Sequence, residues 1–538
     1  AVTALLRPRT SASRRDVVAQ AKFVVSQRAD MKLFLSAFLA ASADQCDVAE
    51  EQRSDCGFVG VTQDQCESKG CCWKEAGQGS SVPWCYNKGG SPGPSPGPSP
   101  GPSPAPSSCP LKYESKGAPF SEAEMSKISG YYNANLDING SGAVVAAPDH
   151  NTGPGGDYYF HWERDGGLSM HALLATASSV SAVDEKFQHY ITWVKKVQGQ
   201  QDPHGIDVRL EPKYNIPDGT IFDGSWCRPQ TDGPGLRARA LADYAMAKVA
   251  AGDKSQTSAI YDAVKHDLEW VVANWQQNGC DLWEEIQSND FFWGRYTMRA
   301  GLNAGAALAD EAGDSATASS YRSVMKDIEA TLGNHYTGSF VFEAQNRQKD
   351  TAVIEAFNDG DFDGNTMFAP LSKEVLGTVV TLNELFCSTY DINQKDTAAG
   401  VPGILYGRYE GDSYDGGNPW VLLTATLAQL IYRQAAAATT ATVDQATYAL
   451  LQQAYSIDAG LTGAALGSAL MGAGDGVLMR IRKHVEADDF HMKEQLSRTD
   501  GSQTSAKDLT WGYANILKAM KARKDATAVV GLASSVIV

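Results

Sequence analysis

Eighteen residues of Ser-Pro-Gly-Pro repeat, from Ser91 to Ser108, split this chain into two parts that cannot share a core. Proline removes backbone donors and nothing in the run buries apolar surface, so neither helix nor sheet interior forms there. An extended polyproline spacer is predicted, at ~3.1 Å per residue and roughly 55 Å at full stretch. Ser/Pro stalks of this composition also suit O-glycosylation. On the N-terminal side, six of the ten cysteines crowd between Cys46 and Cys85. A piece that small needs disulfide staples, and staples need an oxidising compartment.

The first residues agree with export. Residues 1–30 are Arg-rich with no apolar period, and Met31-Lys32 then leads into Leu33-Phe34-Leu35-Ser36-Ala37-Phe38-Leu39-Ala40 and the exit Ala41-Ser42-Ala43. That order describes a secretory signal peptide over 31–43, with 1–30 a gene-model extension; an organellar presequence is the competing reading. The protein is therefore expected to be secreted and extracellular. No other run approaches the ~20 apolar residues of a membrane span. The formal net charge of −17 excludes a nucleic-acid partner, which needs a basic face.

The cysteine-rich part, 44–88, reads Cys46, Arg53-x-x-Cys56-Gly57-Phe58-x-x-x-Thr62-x-x-x-Cys66-x-x-x-x-Cys71-Cys72-Trp73 and Pro83-Trp84-Cys85. Six cysteines alone leave fifteen connectivities open. The whole pattern resembles a trefoil (P-type) domain. The resemblance implies the bridges Cys46–Cys72, Cys56–Cys71 and Cys66–Cys85. It also implies a cleft in which Trp84 is the better stacking ring and Trp73 a structural one.

From about 109 to 538, helix-like apolar spacing recurs at 166–182, 186–198, 236–251, 257–277, 297–311, 314–332, 418–438, 443–456 and 507–522. β-branched alternation is scarce, and no strand–helix repeat appears. An all-α toroid is predicted over a mixed α/β barrel. The odd chemistry lies in the loops. Asp281-Leu282-Trp283-Glu284-Glu285 puts three carboxylates in five residues, with Phe291-Phe292-Trp293 close behind. Apolar walls and like charges hold a carboxylic acid protonated, as a proton donor must be. Other loops mix aromatics with charge in the same way: 158–165, 211–215, 224–234, 407–420 and 494–511. Sugars want this mixture, with ring faces for the C–H side and Asp, Arg, Lys or Asn for the hydroxyls.

Taken together, Trp162-x-Arg164-Asp165, Arg228-Pro229-Gln230-x-Asp232-Gly233-Pro234, Asp281-Leu282-Trp283-Glu284-Glu285, Gly407-Arg408-Tyr409, Gly417-Asn418-Pro419-Trp420 and Asp508-Leu509-Thr510-Trp511 resemble the glucoamylases, family 15 of the glycoside hydrolases. The resemblance implies an (α/α)6 barrel and exo-acting, inverting release of β-D-glucose from the nonreducing ends of α-1,4-glucans. It makes Glu284 the general acid and Glu494 the general base. It gives Arg164, Asp165 and Arg408 the terminal glucose and Glu285 the next sugar, and it lets Asp281 tune Glu284. Tyr158, Trp162, Trp226 and Trp420 shape the pocket, and Lys213, Arg228, Trp283, Tyr414 and Trp511 complete the sugar-binding set. No cofactor or metal is implied, and a monomer is expected. One inference is independent of resemblance: adjacent Glu284 and Glu285 diverge, so the facing carboxylate must come from elsewhere.

Departures from the family pattern set further questions. Cys227 stands where glycine is usual and Cys280 precedes Asp281, which invites a Cys227–Cys280 bridge and leaves Cys109 for Cys387; three pairings remain open. Lys507 replaces an arginine, and no starch-binding module is evident after the helices. Asp359-x-Asp361-x-Asp363-Gly364 imitates a calcium loop, but position twelve is Pro370. Gly472-x-Gly474-x-Gly476 is read as a turn. Asn139-Gly140-Ser141 is the one N-glycosylation sequon. The rival functions are a noncatalytic carbohydrate-binding surface protein and a retaining α-glucosidase on a (β/α)8 barrel.

Overall fold

Two kinds of helix build the large part of the chain. Asp184–Gln198 buries one stripe, Phe187, Tyr190, Ile191, Val194 and Val197, at helical spacing, and leaves the opposite face wet. Val421–Thr440 is buried almost all round. The first kind belongs at a surface and the second inside. The structure is a computed structural model that describes residues 109–151, 157–359 and 367–536, with 46, 48, 53, 62–68, 71–74 and 84–86 nearer the N-terminus.

The barrel helices are α1 (Glu122–Ala134), α2 (Glu163–Thr176), α3 (Asp184–Gln198), α4 (Gly233–Ala250), α5 (Thr257–Asn274), α6 (Phe292–Glu311), α7 (Ser315–Leu332), α8 (Ala352–Asp359), α9 (Lys373–Thr389), α10 (Val421–Thr440), α11 (Gly463–Val485) and α12 (Thr510–Val536). The even-numbered helices form a closed inner ring: each packs on the next, and α12 returns to α2. The odd-numbered helices surround it. This is the expected (α/α)6 barrel. Close approach inside the ring depends on glycine. A Cβ on Gly235 of α4 would sit 2.6 Å from the Thr297 carbonyl, and one on Gly301 of α6 2.6 Å from the Gly235 carbonyl.

Charge also holds the ring. Arg237 of α4, fully buried, forks onto both oxygens of Asp267 in α5 at 2.7 and 2.6 Å and reaches Glu163 of α2 at 2.8 Å. Lower on the barrel axis, Lys518 of α12 pairs with Asp359 at 2.8 Å and Glu355 at 3.4 Å, both on α8.

Several elements differ from expectation. Gly472-x-Gly474-x-Gly476 lies within α11 and not in a turn. The glycines are there for contact, since a Cβ on Gly472 would meet the Tyr113 carbonyl at 2.2 Å and one on Gly474 the Tyr432 ring at 2.6 Å. Of the calcium-like run only Asp359 is described, and Lys518 holds it; the rest lies outside the described residues. Cys227–Cys280 and Cys109–Cys387 are the bridges formed.

In the N-terminal part, Cys72–Trp73 pairs antiparallel with Cys85–Tyr86, and Cys46–Cys72 and Cys66–Cys85 are bridged. Cys71 is disulfide-bonded, while its expected partner Cys56 lies outside the described residues. Arg53 lies over the Tyr86 ring at 4.4 Å and donates to the Lys74 carbonyl, which explains the arginine in the pattern. Trp84 is 44% exposed and meets Trp73 edge-on. The signal-peptide and spacer segments lie outside the described residues.

Candidate active site

The segments entering five of the six inner helices line a single cavity of about 320 Å³, and Asp350 at the entry to the remaining one, α8, accepts the Trp283 indole N–H behind that lining. Helix N-termini carry partial positive charge, which favours acids collected there. Trp162, Arg164 and Asp165 come from the entry to α2, and Trp226 and Cys227 from the loop before α4. Leu282, Trp283, Glu284 and Glu285 precede α6, and Arg408, Tyr414 and Trp420 precede α10. Glu494, Leu509 and Trp511 belong to the entry of α12, and Tyr158 comes from the segment ahead of α2. In ring order α6 and α12 are third and sixth of six. Glu284 and Glu494 therefore approach from opposite sides of the cavity.

Glu284 stands at φ +66°, a left-handed backbone that a side-chain-bearing residue adopts only when its surroundings hold it there. The clasp is Asp281, whose Oδ1 accepts the N–H groups of Glu285 and Ile286 at 2.8 and 2.9 Å. The Glu284 carboxylate accepts from Arg164 at 3.0 Å, Gln230 at 2.8 Å and the Trp226 indole at 2.8 Å. Asp232 braces this cluster, taking Arg164 at 3.3 Å and the Trp293 indole at 3.0 Å. Phe291, Phe292 and Trp293 thus do not wall Glu284. They start α6 and pack in the core, and the indole on Glu284 is Trp226.

Across the cavity Glu494 is 3% exposed. Burial pushes its carboxyl upward, and hydrogen bonds from Ser505, Gln495 and Tyr158 pull it back. The Ser505 hydroxyl donates to it at 2.6 Å from a residue itself at φ +67°. Asp165 is pushed up to about 6 by burial, which outweighs the adjacent Arg164, and the Glu284 charge raises it further. The Arg408 guanidinium forks onto Asp412 at 2.9 and 2.6 Å and reaches Glu285 at 2.9 Å. Trp283 stacks near Trp511 and meets Trp420 edge-on, and Asp350 accepts its indole N–H at 3.0 Å.

Three expected sugar contacts do not line the cavity. Asp281 acts on the turn behind it. Arg228 is used up on Glu211 at 2.7 Å and on the Gly224 and Phe222 carbonyls. Lys213 sits within 4.3 Å of the rings of Phe160, Trp162, Phe222 and Trp226, a cation propping two of the cavity's indoles from behind; burial lowers it to about 8. Sequence reasoning gave no role to Gln230, Asp232, Ser505, Asp350, Arg347 or Asp412. Gln230 and Asp232 stood inside a motif already singled out. Asp412 and Ser505 likewise lay in the loops 407–420 and 494–511, with partners four and 11 positions away. Arg347 and Asp350 show no local signal, because the fold alone brings Asp281 and Trp283 to them.

Two family models match the chain: Glycosyl hydrolases family 15 over residues 130–521, and the Trefoil (P-type) domain over residues 46–88. Glucoamylase-1 of Schizophyllum commune is 32% identical over 443 residues, covering 76% of this chain and 74% of the relative. The glucoamylase of Blastobotrys adeninivorans is 30% identical over 450 residues, covering 75% and 71%. Among solved structures, the glucoamylase from Saccharomycopsis fibuligera superposes with a TM-score of 0.67 at 26% identity, covering 76% of this chain and 95% of that one.

Proposed function

Because the chain belongs to family 15 of the glycosyl hydrolases, we propose that Glu284 and Glu494 are the acid and base of an inverting, exo-acting glucan 1,4-α-glucosidase. The enzyme releases β-D-glucose from the nonreducing ends of starch, glycogen and maltooligosaccharides. The observation that carries the assignment of roles is the placement of these two carboxylates on opposite sides of one cavity. An inverting mechanism needs that gap, because a water must stand between the base and the far face of the sugar.

In this reading a glucose unit enters with its nonreducing end first. Arg164, Asp165 and Arg408 take its hydroxyls, and Trp162, Tyr158, Trp226, Trp420 and Trp511 cover its faces. Glu285 holds the next sugar, with Tyr414 and Trp283 beside it. Glu284, protonated at the start of the turnover, turns its hydroxyl to the glycosidic oxygen in place of one of its three donors. It gives up that proton as the C–O bond breaks, ending as the carboxylate. Glu494 takes a proton from water, which attacks the anomeric carbon from the opposite side.

The test is proton NMR of maltotriose hydrolysis in the first minutes. Opposite-face attack on an α-linkage yields β-glucose first, with α-glucose appearing only by mutarotation. Initial α-glucose would reverse the assignment, and no glucose at all would leave a sugar binder. A second outcome follows from Ser505. Glu494 must be ionised to act as base, and the Ser505 hydroxyl stabilises its charged form. Ser505→Ala should move the acid limb of the kcat profile to higher pH by about one unit, the worth of one hydrogen bond to a charge. An unmoved or lowered acid limb would separate Glu494 from the base role.

The same reading divides the chain into a signal peptide over 31–43, a trefoil domain over 44–88, a spacer over 89–108 and the catalytic barrel from 109, and takes the protein to be a secreted monomer. Disulfides on both sides of the spacer support an oxidising destination. Among the described residues no helix is long and apolar enough to cross a membrane.

A further inference from the structure

Arg347 stands outside every motif read from the sequence, on the segment between α7 and α8, yet it grips the acid-bearing turn at two points. One arm of its guanidinium donates to Asp281 and the other to Glu285 Oε2 at 2.7 Å. The same group lies 3.9 Å from the centre of the Tyr409 ring, and the side chain is 9% exposed. A planar fork spanning two carboxylates while resting on a ring is a geometry that lysine does not reproduce.

The two carboxylates it joins have different work. Asp281 is buried, and among the described residues Arg347 is the cation paired with it. Its second oxygen is occupied by the N–H groups of Glu285 and Ile286, and its backbone carbonyl accepts from Glu284 N–H at 3.0 Å. Asp281 thus closes the turn that holds Glu284 at positive φ, and Arg347 neutralises and orients Asp281. Glu285 has Oε1 against Arg408 at 2.9 Å and Oε2 shared by Arg347 and the Tyr409 hydroxyl. It is aimed before any sugar arrives.

We propose that Arg347 is the positioning residue for the leaving-group side of the cavity, holding Glu284 and Glu285 in register and so setting the preference for substrates with a second sugar. The inference rests on the reading of Glu284 as proton donor and Glu285 as the contact to that sugar. Among the described residues no hydrogen bond or ion pair joins Arg347 directly to Arg164, Asp165, Arg408 or Glu494. Its link to Arg408 is the shared Glu285, and Arg408 keeps its fork onto Asp412 without it, so binding and attack at the terminal ring are largely spared.

The experiment compares Arg347→Met and Arg347→Lys in the full chain on maltose and on α-D-glucosyl fluoride. The fluoride has no second sugar, and its leaving group departs with little help from an acid. For Arg347→Met, kcat/KM on maltose should fall roughly 10²-fold, as a misplacement of about 1 Å at a reacting group costs. Hydrolysis of the fluoride should stay within about threefold of the parent chain, because the interactions lost act only on the leaving group. Arg347→Lys, which keeps one carboxylate paired, should fall between. An equal loss on both substrates, or no loss on either, in the lysine variant as in the methionine one, overturns the proposal while leaving the parent activity in place. A parent chain that cleaves neither substrate overturns the reading beneath it as well.

Discussion

Replacing Glu284 with glutamine should lower kcat on maltose by at least ~10²–10⁴-fold while leaving KM nearly unchanged, because the change removes a proton and little else. The amide is the same size. Its oxygen can still accept from Arg164 and Gln230, which share Oε1, and only the Trp226 indole then faces an N–H₂ group. One lost hydrogen bond is worth about 1 kcal/mol, small beside the barrier the acid lowers. The binding groups on the terminal glucose are untouched. Steady-state kinetics on maltose, with the same variant on α-D-glucosyl fluoride, decide the matter. A leaving group that needs no proton should recover much of the lost rate. Near-parental activity on maltose, or an equal loss on the fluoride, would remove Glu284 from the acid role.

The second large effect is on stability. Arg237→Met should cost about 3–5 kcal/mol, because it leaves Glu163 and Asp267 as buried carboxylates with no cation between them. The penalty belongs to the charged forms. It should be full at neutral pH and shrink as pH falls and the orphaned groups take up protons. Arg237→Met combined with Asp267→Leu should recover a large part of it, since one orphan is gone and the volume is refilled. Denaturant titration at pH 7 and pH 5 measures all of this. A single-variant loss below about 1 kcal/mol would mean that water reaches the pair and that the ring is not fastened there. Activity should fall with folding, as Glu163 opens the turn that carries Arg164 and Asp165.

Much of this arrangement was legible in the chain. Surface helices such as α3 and α7 declare themselves by their stripes, and α5 and α10 are near their expected limits. The misses have causes. α11 hides behind its glycines, which weaken a helix on their own and are present because Tyr113 and Tyr432 press against it. α6 begins five residues early, at Phe292, because an aromatic run that reads as a loop wall is core. The cavity's lining was foreseeable wherever an aromatic stood beside a charge. Its supports were not. Arg347 and Asp350 are ordinary loop residues in sequence, and their partners lie 66 and 67 positions away. Lys213 was placed among the sugar contacts by its motif, and the structure sets it one layer behind them, in a cage of rings.

The cavity's walls are drawn from points between Ala146 and Trp511, most of them on the segments leading into five of the six inner helices. No contiguous stretch of the chain therefore carries a working fraction of the site. Its pieces have high contact order, and such topologies pay the entropy of closing long loops before any contact rewards it. The ring is complete only when α12, the last helix in the chain, docks against α2, the first of the inner six, more than three hundred residues earlier. A chain emerging in order exposes its apolar inner helices until that final docking, and only then does it have a place for a sugar.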